Sequence, residues 1–194
     1  MRRNEFMRNR LYIISGPSGV GKGTLVKELL KLDENLALSI SCTTRKPRAG
    51  ERDGVDYFFL TRDEFLRRVE ADGFLEYDEH FGNYYGTPKD FVREQMKEKS
   101  VILEIDVVGA LNVQKRCGAE FAPVLILVVP PDEETLIHRL EGRASEDEDA
   151  LRERLARARY ELSLKDQYDY VVVNDDLKET AARLHEIVLA ENAK

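Results

Sequence analysis

The chain has 194 residues, which suits one domain with inserts better than two independent hydrophobic cores. It is 42% hydrophobic and 35% charged, so it can bury a core while keeping a hydrated surface. The net charge of −7 argues against a general nucleic-acid binder, and any affinity for phosphate must come from local placement of basic side chains.

Two further features bound the class of protein. Cys42 and Cys117 have no metal-ligand spacing and indicate no disulfide framework, which favours a reduced, cytoplasmic protein. No apolar run approaches the length of a transmembrane helix. The basic first ten residues lack the apolar segment of a signal peptide. We therefore expect a cytoplasmic protein without a membrane partner.

The first predicted element is a short apolar strand from Leu11, followed by a glycine-rich turn and a helix with apolar residues at 25, 26, 29 and 30. Glycines let backbone N–H groups surround an anion, and the new helix presents its positive dipole end. A turn without a ligand is the alternative, but three glycines beside Lys22 favour a phosphate-binding P-loop. The residues expected to bind phosphates are Gly16, Pro17, Ser18, Gly19, Val20, Gly21, Lys22, Gly23 and Thr24.

One position departs from the usual P-loop pattern. The residue after the lysine is commonly a serine or threonine that binds magnesium, but here it is Gly23, with Thr24 one step later. Two arrangements stay open, in which magnesium is held through water molecules or through Thr24.

Four further strands are predicted at 38–41, 101–105, 124–129 and 170–173. Helical spacing at 107–116 and 133–141 separates them, and a last helix begins at Asp176, which forms a capping pair with Glu179. Strands that alternate with helices predict an α/β fold around a parallel sheet. Ligands bind such sheets at the carboxyl ends of the strands, where the P-loop lies.

Two stretches interrupt this alternation. Residues 42–87 are aromatic and rich in turns, with a helix capped by Thr61 and short strands at 57–60 and 74–85 that turn near Gly82. We interpret them as an inserted subdomain. Residues 138–164 carry many arginines, followed by an acidic run at 146–149 that suits the solvated start of a long helix.

Several motifs together are similar to those of guanylate kinases over nearly the whole chain, from about 11 to 189. They are Gly16-Pro-Ser-Gly-Val-Gly-Lys22, Ser41-Cys-Thr-Thr-Arg45-Lys-Pro-Arg48, Tyr57, Glu76, Gly82-Asn-Tyr-Tyr85-Gly-Thr87, Glu104-Ile-Asp106-Val-Val-Gly109, Arg139-Leu-Glu-Gly-Arg143, Arg154 and Val173-Asn174-Asp175-Asp176. The resemblance implies a P-loop nucleoside triphosphate hydrolase-type, three-layer α/β fold with a central parallel sheet. It further implies a core (about 8–41, 88–137 and 165–194), a GMP-binding subdomain (about 42–87) and a lid (about 138–164).

The same resemblance implies transfer of the γ-phosphoryl group of ATP to GMP, with Mg²⁺ as cofactor. The implied GMP-binding residues are Ser41, Arg45, Arg48, Tyr57, Glu76, Tyr85, Thr87 and Asp106. Arginine forks match phosphate oxygens, and a carboxylate can accept bonds from the guanine N1–H and amino groups that adenine cannot supply. Asp106 follows a predicted strand, where it could also orient magnesium-bound water or nearby arginines, whereas Glu104 is as well explained by a structural role.

The resemblance assigns the remaining site residues to the donor side. Lys22, Arg139, Arg143 and Arg154 are the implied catalytic cations, because phosphoryl transfer spreads negative charge over the γ-oxygens. Asn174 and Asp175 are placed beside adenine, although Asp175 could instead be a helix cap. We expect other arginines of this stretch, such as Arg152 and Arg157, to be helix-surface residues.

Three other functions were weighed. A regulatory GTPase should also carry an Asn-Lys-x-Asp motif, which the sequence lacks. A protein-interaction scaffold of the guanylate-kinase-like kind would have lost its P-loop, which is intact here. A P-loop kinase with another phosphate acceptor is disfavoured by Glu76 and the tyrosine motif. ATP and GMP are therefore the expected partners, and the sequence does not define an oligomeric state.

Overall fold

A computed structural model of the chain describes residues 9–80, 82–141 and 148–194. Its helices are α1 (Lys22–Leu32), α2 (Arg62–Glu70), α3 (Lys89–Met96), α4 (Val107–Phe121), α5 (Glu133–Glu141), α6 (Glu148–Ser163) and α7 (Leu177–Asn192). Its strands are β1 (Leu11–Ser15), β2 (Leu36–Leu38), β3 (Cys42–Thr43), β4 (Phe58–Phe59), β5 (Phe74–His80), β6 (Asn83–Pro88), β7 (Ser100–Glu104), β8 (Val124–Val129) and β9 (Tyr170–Val173).

The main sheet is parallel throughout and has the strand order β2-β7-β1-β8-β9. In the central strand β1, Leu11 and Ile13 pack against α3 and α4 on one face. Tyr12 and Ile14 pack against α1 and α7 on the other face. Both faces are therefore buried, which explains why these strands read as continuous apolar runs. The predicted three-layer α/β fold is confirmed.

A second sheet of four short strands has the order β4-β3-β6-β5 and lies within residues 42–88. Its own apolar cluster is centred on Phe65 of α2, whose ring stacks on Phe74 at 4.4 Å and on Tyr84 at 5.3 Å between centroids. The helix begins with the predicted cap, in which the side chains of Thr61 and Glu64 each accept a bond from the other residue's backbone N–H. This cap sets the direction in which Phe65 enters the cluster.

Two predicted boundaries were wrong. The strand placed at 38–41 is β2, which ends at Leu38, because the chain leaves β7 after the bond from the Ser39 N–H to the Ile102 carbonyl and enters the second sheet at Cys42. The helix placed at 107–116 extends to Phe121, which is buried against the main sheet and lengthens the helix by more than one turn. Helix α3 lies in a stretch for which no element was predicted.

Helices α5 and α6 pack on each other through Leu136, Leu140 and Ala158, apart from the main core. Helix α6 begins at Glu148, inside the acidic run, and residues 142–147 with Arg143 lie outside the described residues. Within the described ranges, no helix combines the length and the apolar character that a membrane crossing requires.

Candidate active site

The loop between β1 and α1 has the geometry of a phosphate-binding cradle. A Cβ on Gly16 would lie 2.2 Å from the carbonyl oxygen of Val128 on the neighbouring strand, so a side chain cannot be accommodated there. Gly21 occupies the helix N-cap position with a φ of 92°, in the left-handed region that favours glycine. The Lys22 ammonium folds back over the loop and donates to the carbonyls of Gly16 and Pro17 at 2.5 and 3.2 Å.

Hydrogen bonds from residues after β9 and on α5 support the other side of this loop. Asn174, which is buried, donates from Nδ2 to the Val20 carbonyl at 2.7 Å. The Arg139 guanidinium donates to the backbone carbonyl of Asn174 at 3.2 Å. Asp175 follows at the end of β9 and is exposed. Asn174 thus supports the loop directly, and Arg139 reaches the loop through it.

Glu104, at the end of β7, lies against Gly23. A Cβ on Gly23 would be 3.3 Å from a carboxylate oxygen of Glu104, so this carboxylate occupies the space beside the residue where a serine or threonine is usual. Burial raises the pKa of Glu104, and the nearby charges of Lys22 and Lys27 oppose that rise. Thr24 is exposed on the first turn of α1.

The phosphate loop forms one wall of a cavity of about 580 Å³, named here the loop cavity. The opposite wall is α6, which contributes Arg154, Arg157 and Glu161. The Arg154 guanidinium lies 3.5 Å from the Ser18 hydroxyl on the loop. The arginines of α6 therefore face the phosphate loop across a space of small-molecule size.

Arg157 is exposed on α6, as expected of a helix-surface residue, but it also has contacts that the sequence did not predict. Its Nη2 donates to Asp106 Oδ2 at 3.2 Å, and its Nε donates to Glu161 Oε1 at 3.0 Å. Glu161 is buried, and this burial raises its pKa. Arg152 is exposed too, and its ion pair is with Asp149, one turn earlier on the same helix. The four-residue spacing of Arg157 and Glu161 was the available sequence signal.

A second cavity of about 310 Å³, the acid cavity, lies between the main sheet and the small sheet. Glu76 on β5 faces it and accepts a bond from the Thr87 hydroxyl at 2.6 Å. Burial raises the pKa of Glu76 to about 7, and the charge of Asp106 adds to the rise while the bond from Thr87 opposes it. Asp106 caps α4 by accepting from the Gly109 N–H at 2.7 Å.

The small sheet also carries a group of basic and aromatic side chains. Both Nη atoms of Arg45 bind the carboxylate of Glu51, at 2.9 and 3.0 Å, in a bidentate pair that lowers the pKa of Glu51. The same guanidinium lies 5.5 Å from the centroid of the Tyr57 ring, which meets Tyr85 edge to face at 6.2 Å. Arg48 is exposed, and its backbone N–H donates to Glu51 at 2.7 Å. Sequence reasoning missed this function of Glu51, although it lies in the same motif as both arginines.

The structure brings most of the candidate residues into two groups. Those on the acid cavity are Ser41, Tyr57, Glu76, Tyr85 and Asp106, and those on the loop cavity are Gly16, Ser18, Gly19, Gly21, Lys22, Gly23, Asp106 and Arg154. Glu104 and Asp106 belong to both walls, so the two cavities adjoin at the carboxyl end of β7. Arg45 contacts Tyr57, and Thr87 binds Glu76, so both adjoin the acid cavity. Asn174 binds the phosphate loop at Val20, and Arg139 binds Asn174. Arg48, Thr24 and Asp175 are exposed.

A phosphate cradle at the carboxyl edge of a parallel sheet, next to a second cavity that shares two of its acidic side chains, defines a P-loop kinase that acts on small molecules. The family model described as guanylate kinase matches residues 8–191. The chain belongs to the guanylate kinase family.

Individual relatives agree with this assignment. The chain is 46% identical to the guanylate kinase of Rickettsia typhi over 185 residues, covering 95% of this chain and 92% of that protein. It is 45% identical to the guanylate kinase of Clostridium perfringens over 188 residues, covering 96% and 86%. The crystal structure of guanylate kinase from Anaplasma phagocytophilum is similar with a TM-score of 0.72 and 36% identity, covering 97% of this chain and 88% of that one.

Proposed function

We propose that the chain transfers the γ-phosphoryl group of ATP to GMP, giving ADP and GDP. The observation that carries the proposal is the shared wall of the two cavities, because a donor and an acceptor that meet at Glu104 and Asp106 are placed for direct transfer. Cytoplasmic action is part of the proposal and agrees with two cysteines that are free and buried.

The loop cavity is the proposed ATP site. Backbone N–H groups between Gly16 and Thr24 hold the phosphates, and the Lys22 ammonium exchanges the loop carbonyls for phosphate oxygens. Asn174 and Asp175 border the adenine side. The bond from Asn174 to the Val20 carbonyl makes Asn174 a support of the loop as well as a neighbour of the base.

The acid cavity is the proposed GMP site, with Glu76 as the group that reads the base. As a carboxylate it accepts from the N1–H and amino groups of guanine, while Thr87 and Ser41 complete the polar edge. Adenine would direct an unprotonated N1 at the carboxylate, and a buried acceptor left without its hydrogen bond costs about 1–3 kcal/mol. Because the pKa of Glu76 is raised to about 7, this reading is pH-dependent near neutrality. Asp106 completes the shared wall.

Arg45, Arg48, Tyr57 and Tyr85 are the proposed ligands of the GMP phosphate. The contacts of Arg45 support this role, because Glu51 and the tyrosine ring fix its guanidinium close to the phenol groups. An arginine held in this way loses less side-chain entropy on binding an oxyanion than a free one does.

Catalysis requires no general base, because a phosphate monoester has a second pKa of about 6 and is mostly ionised at neutral pH. The proposed chemistry is positioning and electrostatic stabilisation by Lys22, Arg139, Arg143 and Arg154. Arg154 supports this role by its place opposite the phosphate loop. Residues 42–87 and 138–164, each with its own small apolar cluster, are the proposed GMP-binding subdomain and lid.

Mg²⁺ is the proposed cofactor, and the residues around Gly23 fit it. The carboxylate of Glu104 fills the space that a serine or threonine side chain would take, and carboxylate oxygens are ligands that magnesium prefers. Glu104 and Asp106 would hold the ion, directly or through water, with Thr24 as the alternative. When bound with ATP, Mg²⁺ supplies neutralisation of charge on the β- and γ-phosphates.

A coupled assay of ADP release tests the proposal, with GMP, AMP, CMP and UMP as acceptors. We expect turnover with GMP and little with the others. ADP formed equally without an acceptor would contradict it in favour of a hydrolase, and preference for another nucleotide would contradict the reading by Glu76. No turnover with any acceptor, from a folded protein, would favour a scaffold.

A further inference from the structure

Arg157 is not among the arginines that the family motif identifies, yet it lies where the two cavities meet. It lines the loop cavity from α6, three residues after Arg154 and on the same side of the helix. Its Nη2 reaches Asp106, which belongs to the walls of both cavities. The guanidinium nitrogen and the carboxylate oxygen are 3.2 Å apart.

We propose that Arg157 is a further phosphate-binding residue, which binds the phosphoryl group as it passes between the loop cavity and the acid cavity. The inference rests on the proposed transfer to GMP. On binding, part of the guanidinium exchanges Asp106 for a phosphoryl oxygen, while Glu161 keeps the side chain in place.

The surroundings of Arg157 position it before any ligand arrives. Its Nε is bound to Glu161, which is 4% exposed and lies four residues further along α6. The described hydrogen bonds of Arg157 use Nε and Nη2, out of five N–H donors on a guanidinium. Donors therefore remain for an oxyanion without loss of the bond that orients the side chain.

Charge balance at the boundary points the same way. The shared wall carries two carboxylates, Glu104 and Asp106, and Glu76 lies next to them in the acid cavity. Left unbalanced, these acids would repel a phosphoryl group that crosses from one cavity to the other. Arg157 offsets part of this negative charge at the point of crossing, where the transition state also carries its charge.

The same helix offers a matched control. Arg159 is two residues further along α6, and its guanidinium binds Glu133 of α5 at 2.7 Å, away from the cavities. It is about as exposed as Arg157, at 65% against 58% of the side chain, and it too forms an ion pair with a glutamate. Arg159→Ala therefore removes the same kind of side chain without touching the boundary.

The experiment compares the unsubstituted protein with Arg157→Ala, Arg157→Lys and Arg159→Ala. The measurements are kcat and KM with ATP and GMP, the thermal midpoint, and calorimetric affinity for inorganic tripolyphosphate. Loss of one preorganised donor costs about 100- to 1,000-fold in kcat. Since Arg157 is half-exposed and acts beside other cations, we expect kcat to fall about 10- to 100-fold in Arg157→Ala, with a smaller rise, of about threefold, in KM for ATP.

Arg157→Lys keeps the charge and should recover part of kcat, whereas Arg159→Ala should leave kcat within about twofold. Equal kcat values for Arg157→Ala and Arg159→Ala would overturn the proposal. The proposal would also be overturned if kcat fell together with the thermal midpoint in Arg157→Ala and Arg157→Lys recovered none of it. That pattern would show that Arg157 has only a structural role. If the unsubstituted protein makes no GDP, the proposed function fails, and the affinities for tripolyphosphate then test the role of Arg157. Weaker binding by Arg157→Ala alone supports phosphate binding by Arg157. Equal binding by all variants refutes it.

Discussion

Replacing Glu76 with glutamine removes a titrating group from the wall of the acid cavity while keeping its size. The pKa of this carboxyl is raised to about 7, chiefly by burial, from 4.5 for an ordinary glutamate. That difference corresponds to about 3 kcal/mol. Because the folded protein binds the proton more tightly than the unfolded chain does, the wild type loses stability as the pH rises from 4.5 to 7. Above pH 7 the loss is complete.

Glu76→Gln has no such titrating group, so its stability should rise relative to that of the wild type as the pH rises. The difference in the free energy of unfolding between the two proteins should change by about 2 to 3 kcal/mol from pH 5 to pH 8. Urea unfolding at both pH values measures it, because other titrating groups occur in both proteins and cancel. Glu70→Gln, at an exposed position at the end of α2, is the control and should show no such change.

The same charge should control binding of the base. Guanosine is the appropriate ligand for calorimetry, since it lacks the phosphate of GMP, which titrates near pH 6. With a pKa of about 7 for Glu76, guanosine affinity should fall about fivefold from pH 7 to pH 6 in the wild type. In Glu76→Gln the affinity for guanosine should be weaker and should not change between pH 6 and pH 7. A stability difference that is the same at pH 5 and pH 8, together with a flat wild-type profile, would refute the argument from burial.

Three further predictions concern the two cavities and the loop. Lys22→Ala should lower kcat by about 1,000-fold with circular dichroism and the thermal midpoint unchanged, and an active variant would remove the loop from the mechanism. Glu51→Gln, which breaks the bidentate pair with Arg45, should raise KM for GMP about tenfold and leave KM for ATP unaltered; equal changes in both would contradict its assignment to the acceptor side. Gly16→Ala should destabilise the fold by several kcal/mol in urea unfolding, because the new Cβ would lie 2.2 Å from a carbonyl oxygen of β8. The control is Gly118→Ala, in the interior of α4 with open space around it. This variant should stabilise the fold by about 0.5–1 kcal/mol.

The elements that could be predicted are those encoded in local pattern. The phosphate loop was found because the glycines at 16 and 21 and the lysine at 22 stand at fixed spacing between an apolar run and a helical pattern. The cap at Thr61 was found because the capping box is a four-residue signal. Strands β8 and β9 were placed at their observed bounds because both are short, continuous apolar runs, although β9 is an edge strand and only Val172 in it is buried.

The residues at which strands and helices end were harder to predict from the sequence. Strand β2 ends where the chain crosses to the second sheet, and that crossing depends on β7, more than 60 residues later. Helix α4 continues to Phe121 because the main sheet offers a surface that covers its ring. Each boundary is set by a partner distant in sequence, so no local pattern can reveal it.

The sequence alone determined the class of fold and the phosphate loop, because residue spacing encodes both. It also determined the family resemblance, because the motifs that identify it are runs of particular residues. The tertiary structure alone decided that Glu104 lies against Gly23, that Arg157 reaches Asp106, and that the pKa of Glu76 rises to about 7. The reason is physical: hydrogen bonds and desolvation act over a few ångströms in space, and folding brings together groups that are distant in sequence, such as Arg157 and Asp106, which are 51 residues apart.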